Sequence, residues 1–184
     1  MTGKWPPVRA LMDELLEVDR AVFNAATRTR APELDQVLTS VSNAANRSFL
    51  WVGIAAVLAA AGGRRGRRAA ARGLVSIAAT SAFVNVGLKG LHRRERPERE
   101  EGWDTRPVRM PTSSSFPSGH SASAFAFASA VGLEIPVLAL PLRLLAAAVA
   151  YSRVHCGVHY PSDVVAGSLV GAVTGQVVAR SLPR

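Results

Sequence analysis

The amino-acid sequence predicts an all-α fold, an integral membrane helical bundle of about five to six helices with an amphipathic N-terminal helix. Three observations carry this expectation. Of 184 residues, 48% are apolar, yet the formal charge is +9, a pairing that suits apolar spans with basic flanks. The apolar residues gather into separate stretches of helical length. The last stretch carries Gly167, Gly171 and Gly175 four apart on one face, a surface for close helix contact in lipid. The length fits one domain, read as amphipathic N-terminal helices over 1–47 and a membrane helical core over 48–184.

Taken in order, residues 8–29 place Leu11, Leu15, Val18, Val22 and Ala26 on one stripe with acids and arginines opposite, an amphipathic helix. Two settings suit it equally, the membrane surface and the side of the bundle. A second amphipathic stretch, about 33–46, holds Leu34, Val37, Leu38 and Val41 and starts at Pro32. Five apolar segments follow: Phe49–Gly62, Ala69–Leu91, Ser121–Leu133, Leu138–Tyr151 and Val164–Ala179. A bilayer core asks for about 20 apolar residues per helix, and only the second meets that unaided. Arg64, Arg65, Arg67 and Arg68 read as a short basic loop on the cytoplasmic face. The long polar stretch 92–117, with Ser113–Ser115 and several prolines, reads as a functional or disordered loop.

Composition also excludes classes. A nucleic-acid binder is disfavoured, because the charges cluster at the ends of apolar segments and aromatics are only 6%. No signal peptide is expected, since Asp13, Glu14, Glu17 and Asp19 interrupt the apolar run that one needs. Cys156 is alone and reads as a small buried thiol; a cysteine-nucleophile phosphatase would want Arg at the position of Ser162. Arg is the default cation and Ala is abundant, which suggests a GC-rich bacterial genome. Lys4 and Lys89 are the only lysines, so Lys89 stands out as a compact point charge where a planar fork is the habit.

Three separated segments supply an inventory for phosphoryl transfer. They are Lys89 with Arg96-Pro97, Pro117-Ser118-Gly119-His120, and Ser152-Arg153 with His159 and Asp163. Phosphoryl transfer asks the protein mainly for positioning and for charge around the equatorial oxygens. His159 and Asp163, four apart at a helix start, share a face. A carboxylate on one ring nitrogen holds the tautomer that leaves the other free to attack phosphorus. His120, opening a helix after a Ser-Gly turn, is placed to protonate the leaving oxygen and then to activate water. Gly119 admits close backbone approach, and Ser118 suits either a helix cap or a phosphate contact. Alternating helices bring all of these to one end of the bundle, with Arg64–Arg68, Arg180 and Arg184 at the other.

Each motif has a blander reading. A lone His-x-x-x-Asp pair is often structural, Ser-Gly alone is an ordinary cap turn, and a lone Lys at a helix end can snorkel to the interface. Arg93, Arg94, Arg99 and Arg109 read as solvated or lipid-headgroup contacts, Arg106 as one more charge on that face, and His92 and His155 as structural. The weight lies in three motifs occurring in order and in compatible topology.

Lys-x6-Arg-Pro at 89–97, Pro-Ser-Gly-His at 117–120 and Ser-Arg-x5-His-x3-Asp at 152–163 resemble the three signatures of the type 2 phosphatidic acid phosphatase superfamily. That group includes integral membrane lipid phosphate phosphatases, soluble class A bacterial acid phosphatases and vanadium haloperoxidases. The resemblance implies a helical bundle and hydrolysis without a metal or other cofactor. It assigns the nucleophile to His159, its orienting acid to Asp163 and the general acid to His120. It makes Lys89, Arg96, Ser118, Gly119 and Arg153 the phosphate cradle. No position departs from the signatures. The chain is shorter than many six-span members, which implies a first span reduced to the amphipathic helix.

The resulting expectation is a multi-pass bacterial plasma-membrane protein that hydrolyses a lipid phosphomonoester or diphosphate at an outward-facing site. Its partners are membrane lipids and the substrate itself, with no nucleic acid. Phosphatidic acid, phosphatidylglycerophosphate, a polyprenyl diphosphate and a prenyl-linked sugar phosphate all fit, as does decaprenyl-phosphoryl-ribose phosphate in an actinobacterium. Alternatives are phosphotransfer to another lipid at the same site and a non-catalytic lipid-phosphate binder. Vanadate-dependent halide oxidation is disfavoured, because such enzymes are large and soluble.

Overall fold

The computed structural model describes residues 8–29, 31–91, 94–98 and 106–183. The expectations for Lys4, His92, Arg93, Arg99 and Arg184 concern positions outside the described residues. Seven helices of more than one turn occur among those described: α1 Val8–Arg28, α2 Pro32–Ala44, α3 Phe49–Ala61, α4 Gly63–Ala82, α5 Gly119–Glu134, α6 Ala139–His155 and α7 Pro161–Ser181. Local chemistry explains most boundaries. Pro32 and Pro161 open α2 and α7 where a missing N–H costs nothing. Ser118 caps α5, and Gly157, at φ 65°, turns the chain after α6.

Helix α5 is the hub. Its Ala- and Ser-rich sequence makes it slender, and ten of its residues are buried, with α4, α6 and α7 packed around it. The glycine face of α7 explains the closest of these contacts. A Cβ on Gly167, Gly171 or Gly175 would lie 2.4, 2.1 and 2.4 Å from the carbonyl oxygens of Ser118, Ala122 and Ala126. The stripe foreseen in the sequence is therefore the seam between α7 and α5. Val165, Leu169, Val173 and Val177 point the other way and are exposed, as a lipid-facing surface requires. Polar glue joins the seam to α4: the Thr80 and Thr174 hydroxyls are 2.6 Å apart. Trp51 of α3 stacks at 5.3 Å on Phe127 of α5 to fill the core.

Among the described residues, three helical stretches are long and apolar enough to cross a membrane: Gly63–Leu88, Pro136–His155 and Pro161–Ser181. A fourth candidate is the pair Pro32–Ala44 and Asn46–Ala61, bent by 62°. This is a multi-pass membrane protein. The arginines Arg64–Arg68 are not a loop, in contrast to the sequence expectation. They occupy the first turns of α4, which begins directly after Gly62. A Cβ at Gly66 would sit 2.1 Å from the Leu58 carbonyl oxygen, so α3 and α4 turn back on each other without a spacer. At that end Glu134 gathers Arg68 at 3.3 Å and Arg72 at 2.7 Å.

The amphipathic α1 docks, but of its apolar stripe only Ala26 packs inward. Leu11, Leu15, Val18 and Val22 are 48–60% exposed, whereas Asp19 and Phe23 are buried. Phe23 packs at 5.3 Å on Tyr160. Arg106 ties the N-terminal helices down. Buried, it donates to the carbonyls of Thr27, Thr29 and His155 and pairs with Asp35 of α2 at 2.9 Å. The same Asp35 oxygen lies 2.6 Å from His155 Nε2. Arg106 is thus a structural clamp rather than one more charge on the surface, and His155 belongs to the clamp. Cys156 is buried, 3.9 Å from the Thr39 hydroxyl.

Candidate active site

The three motifs meet at one end of the bundle. A cavity of about 230 Å³ is lined by Lys89, Arg96, Gly119, His120 and His159, together with Asn85. Lys89 reaches it because Phe83–Leu88 is π-helical. This wider turn, a frequent device at functional sites, sets both Asn85 and Lys89 against the cavity. Gly119 and His120 open α5, and His159 sits in the turn between α6 and α7.

His159 is almost fully buried, and its two ring nitrogens meet opposite chemistry. Arg96 approaches Nε2 at 3.2 Å and donates from the same nitrogen to the Val158 carbonyl at 2.9 Å. Nδ1 lies 3.5 Å from Asp163 Oδ2, ion-pair range but too long for a well-formed hydrogen bond. A guanidinium only donates, so Nε2 is the unprotonated nitrogen and the proton resides on Nδ1, toward Asp163. Burial above all, with Arg96 and Arg153 adding to it, lowers the His159 pKa to about 4 against the opposing pull of Asp163. The ring is neutral at physiological pH, with the Nε2 lone pair turned toward Arg96.

Asp163 is fully buried and surrounded by donors. Oδ1 accepts from Arg94 at 2.8 Å; Oδ2 accepts from the Tyr160 N–H at 2.9 Å and from the Ser115 hydroxyl. Arg94 therefore differs from the sequence expectation of a solvated or headgroup contact. It is partly buried, lies 4.3 Å above the Tyr160 ring and bonds Asp19 of α1 at 2.6 Å as well as Asp163. Asp19 in turn accepts from the Ser162 N–H and hydroxyl at 2.8 and 2.6 Å, an anion at the start of α7 where the helix dipole favours one.

The cations are held by backbone and serines. Lys89 donates to the Ser113 hydroxyl at 3.1 Å, and Arg96 donates to the Ser113 and Ser114 carbonyls at 3.0 and 3.2 Å. Burial, then Arg96, lowers the Lys89 pKa. Arg153, fully buried, donates to the Ser42 hydroxyl of α2 at 2.5 Å and borders a second cavity with His120. His120 Nε2 is 3.1 Å from Asn46 Oδ1. Burial first, and then Arg153, His159, Lys89 and Arg96, push the His120 pKa far below its ordinary value.

Ser118 is placed differently from its neighbours. It is fully buried, its hydroxyl accepts from Ser121 Oγ at 3.0 Å, and it lines neither cavity. Its cap role is the one visible. Sequence reasoning missed Arg94, Ser113, Ser115, Asn46 and Asp19 as parts of this site. The Ser113–Ser115 run was a usable signal; Arg94 was hidden among many arginines.

The chain is similar to known proteins over most of its length. The family model of the PAP2 superfamily matches residues 70–184. The decaprenylphosphoryl-5-phosphoribose phosphatase of Mycobacterium tuberculosis is 39% identical over 110 residues, covering 55% of this chain and 58% of that protein's length. The phosphatidylglycerophosphatase B of Bacillus subtilis is 29% identical over 166 residues, 83% of this chain and 77% of the relative. The crystal structure of a transmembrane PAP2 type phosphatidylglycerolphosphate phosphatase from Bacillus subtilis superposes with a TM-score of 0.69 at 27% identity, covering 90% of this chain and 84% of that one. Aquifex aeolicus LpxE superposes with a TM-score of 0.72 at 24% identity, over 89% and 95% of the two chains, a likeness of fold. With three ordered motifs on one cavity and a family match over most of its length, this chain belongs to the PAP2 superfamily.

Proposed function

We propose that the protein is a membrane lipid phosphate phosphatase that hydrolyses a lipid phosphomonoester or diphosphate through a phosphohistidine on His159. The observation that carries this reading is the Arg96–His159 pair. The guanidinium lies 3.2 Å from Nε2, so a phosphoryl group that takes over the Arg96 contact brings its phosphorus to the Nε2 lone pair. The relatives' names, one a phosphoribose lipid phosphatase and one a phosphatidylglycerophosphatase, support a lipid phosphate as the substrate class.

In this mechanism Nε2 attacks phosphorus, the bond from phosphorus to the lipid oxygen breaks, and His120 gives that oxygen its proton. Water then attacks phosphorus as His120 takes its proton, the phosphorus–Nε2 bond breaks, and phosphate leaves with neutral His159 restored. Asp163 orients His159 and stabilises the positive ring during the intermediate. Lys89, Arg96 and Arg153, with the amide of Gly119 at the start of α5, balance charge on the equatorial oxygens. Ser118 fixes that helix start. Three cations supply the charge a metal would otherwise bring, so activity without a metal is expected. Arg94 positions Asp163.

The site faces outward in this reading. The exposed arginines Arg64, Arg65, Arg67 and Arg68 start α4 at the end remote from Lys89, and such clusters are retained on the cytoplasmic side of the plasma membrane. The test is phosphate release by the purified protein in detergent from phosphatidic acid, phosphatidylglycerophosphate and a prenyl diphosphate, with EDTA present. Release that resists the chelator and is blocked by vanadate is expected. No release from any of them, or restoration only by Mg²⁺, contradicts it.

A further inference from the structure

A second cavity, about 570 Å³, adjoins the phosphate cavity and shares Arg47, Pro111, Ser113 and His120 with it. Its remaining wall mixes polar and apolar groups: Asn43, Asn46 and Phe49 from the α2–α3 corner, Arg109, Met110 and Thr112 from the segment before α5, and Arg153 of the phosphate cradle. Two features of this vestibule call for a ligand. Arg47 and Arg109 are both exposed, and neither forms an ion pair among the described residues. Among the described residues, Arg94, Arg96, Arg106 and Arg153 at this end are held by protein acceptors.

The corner is also built at a cost. Arg47 and Ser48 are consecutive non-glycine residues at φ 50° and 62°, a left-handed pair that L-residues avoid and that concentrates at functional sites. This turn lets Asn46 meet His120 while Arg47 borders both cavities. The vestibule therefore begins at the proposed general acid, where the leaving group stands.

We propose that the vestibule is a subsite for a second anionic group on the substrate's headgroup. Resting on the phosphatase reading above, it names the substrate class as a lipid joined by a phosphodiester to a phosphorylated polyol or sugar. Arg47 and Arg109 meet the phosphodiester, and Asn43 and Thr112 supply neutral partners for spacer hydroxyls. A diphosphate suits it less well. Its two phosphates are joined by a single oxygen, so both remain in the smaller cavity and leave these arginines unmatched.

The test uses two probes with the same acyl chains and the same terminal phosphomonoester. Dioleoyl phosphatidylglycerophosphate carries the second anion one glycerol away, and dioleoyl phosphatidic acid lacks it. Phosphate release from mixed micelles gives kcat/KM for each. Wild type is expected to prefer the first by roughly tenfold, a preference that shrinks at high salt because both arginines are exposed. Arg109→Gln and Arg47→Gly are each expected to lower the ratio roughly threefold, and together to bring it near one. Glycine removes the guanidinium while accepting the left-handed backbone, so lost selectivity is not confused with lost fold. A wild-type ratio near one, or equal losses on both probes in the variants, overturns the subsite alone. Release from neither probe overturns the phosphatase reading beneath it.

Discussion

Asp19 and Asp163, far apart in the chain, are held by the two ends of one guanidinium: Arg94 lies 2.6 Å from the first and 2.8 Å from the second. The amphipathic α1, which turns Leu11, Leu15, Val18 and Val22 outward, is thereby bonded to the carboxylate that orients the proposed nucleophile. Neither acid touches substrate through this link, so its effect is on position. Arg94→Gln is expected to lower kcat by about 10²-fold, the cost of a misplacement near 1 Å, with KM little changed. Asp19→Asn, which keeps the shape, should lower it less, and Arg94→Lys should recover only part because a point charge cannot span both acids. Steady-state kinetics decide; a rise in KM at constant kcat would assign Arg94 to binding instead.

The glycine seam offers a second check, on structure rather than chemistry. A Cβ at position 171 would come within 2.1 Å of the Ala122 carbonyl oxygen, and backbone cannot move aside as a side chain can. Gly171→Ala is expected to cost about 1–3 kcal/mol of stability, and Gly171→Leu to prevent assembly of the bundle. Thermal unfolding in a fixed detergent measures this. The changes sit two turns or less from Ser118, so activity should fall with them. An Ala variant as stable as wild type would mean that α5 and α7 are less tightly joined than described.

Much of this was legible beforehand, and the reasons differ by residue. That His120, His159, Lys89 and Arg96 border one cavity, with Asp163 beside His159, could be expected because alternating helices put their segments at one end. Gly167, Gly171 and Gly175 could be found because a seam needs a four-residue period. Arg94 and Arg106 could not. In a chain whose default cation is Arg, nothing local separates a buried clamp from a solvated charge; their partners Asp19, Asp163 and Asp35 lie on other helices. The stripe on α1 was visible as a pattern, but whether it packs or faces outward depended on Phe23 and Asp19, which lie off it. The arginines opening α4 were misread as a loop because Gly62 and Gly63 allow a reversal with no spacer.

Protonation gives a third check. Burial, Arg96 and Arg153 hold the His159 pKa at about 4, below the 6.5 or so of a solvated histidine. Only the neutral ring attacks, so the acid limb of kcat/KM should fall as pH drops through about 4, once the substrate's own ionisation is divided out. Stability follows the same sign. The unfolded chain takes up this proton first, so the contribution of neutral His159 is complete above about 6.5 and is lost between there and about 4. The lowered Lys89 pKa predicts an alkaline decline starting below the range of an ordinary lysine. A pH–rate profile from 3 to 10 measures both limbs; an acid limb near 6.5 would mean that His159 is solvated or is not the attacking group.

The most direct trial is to catch the phosphoryl group on the protein. His120→Ala should keep the first step for a substrate with a good leaving group and lose the water-activating step. Enzyme mixed with ³²P-labelled substrate and quenched in base is then expected to carry label that is stable to base, released by acid and mapped to His159. The same variant with His159→Ala should carry none, and His159→Ala alone should have no turnover. Label on another residue, or phosphate release by His159→Ala at the wild-type rate, would contradict the account.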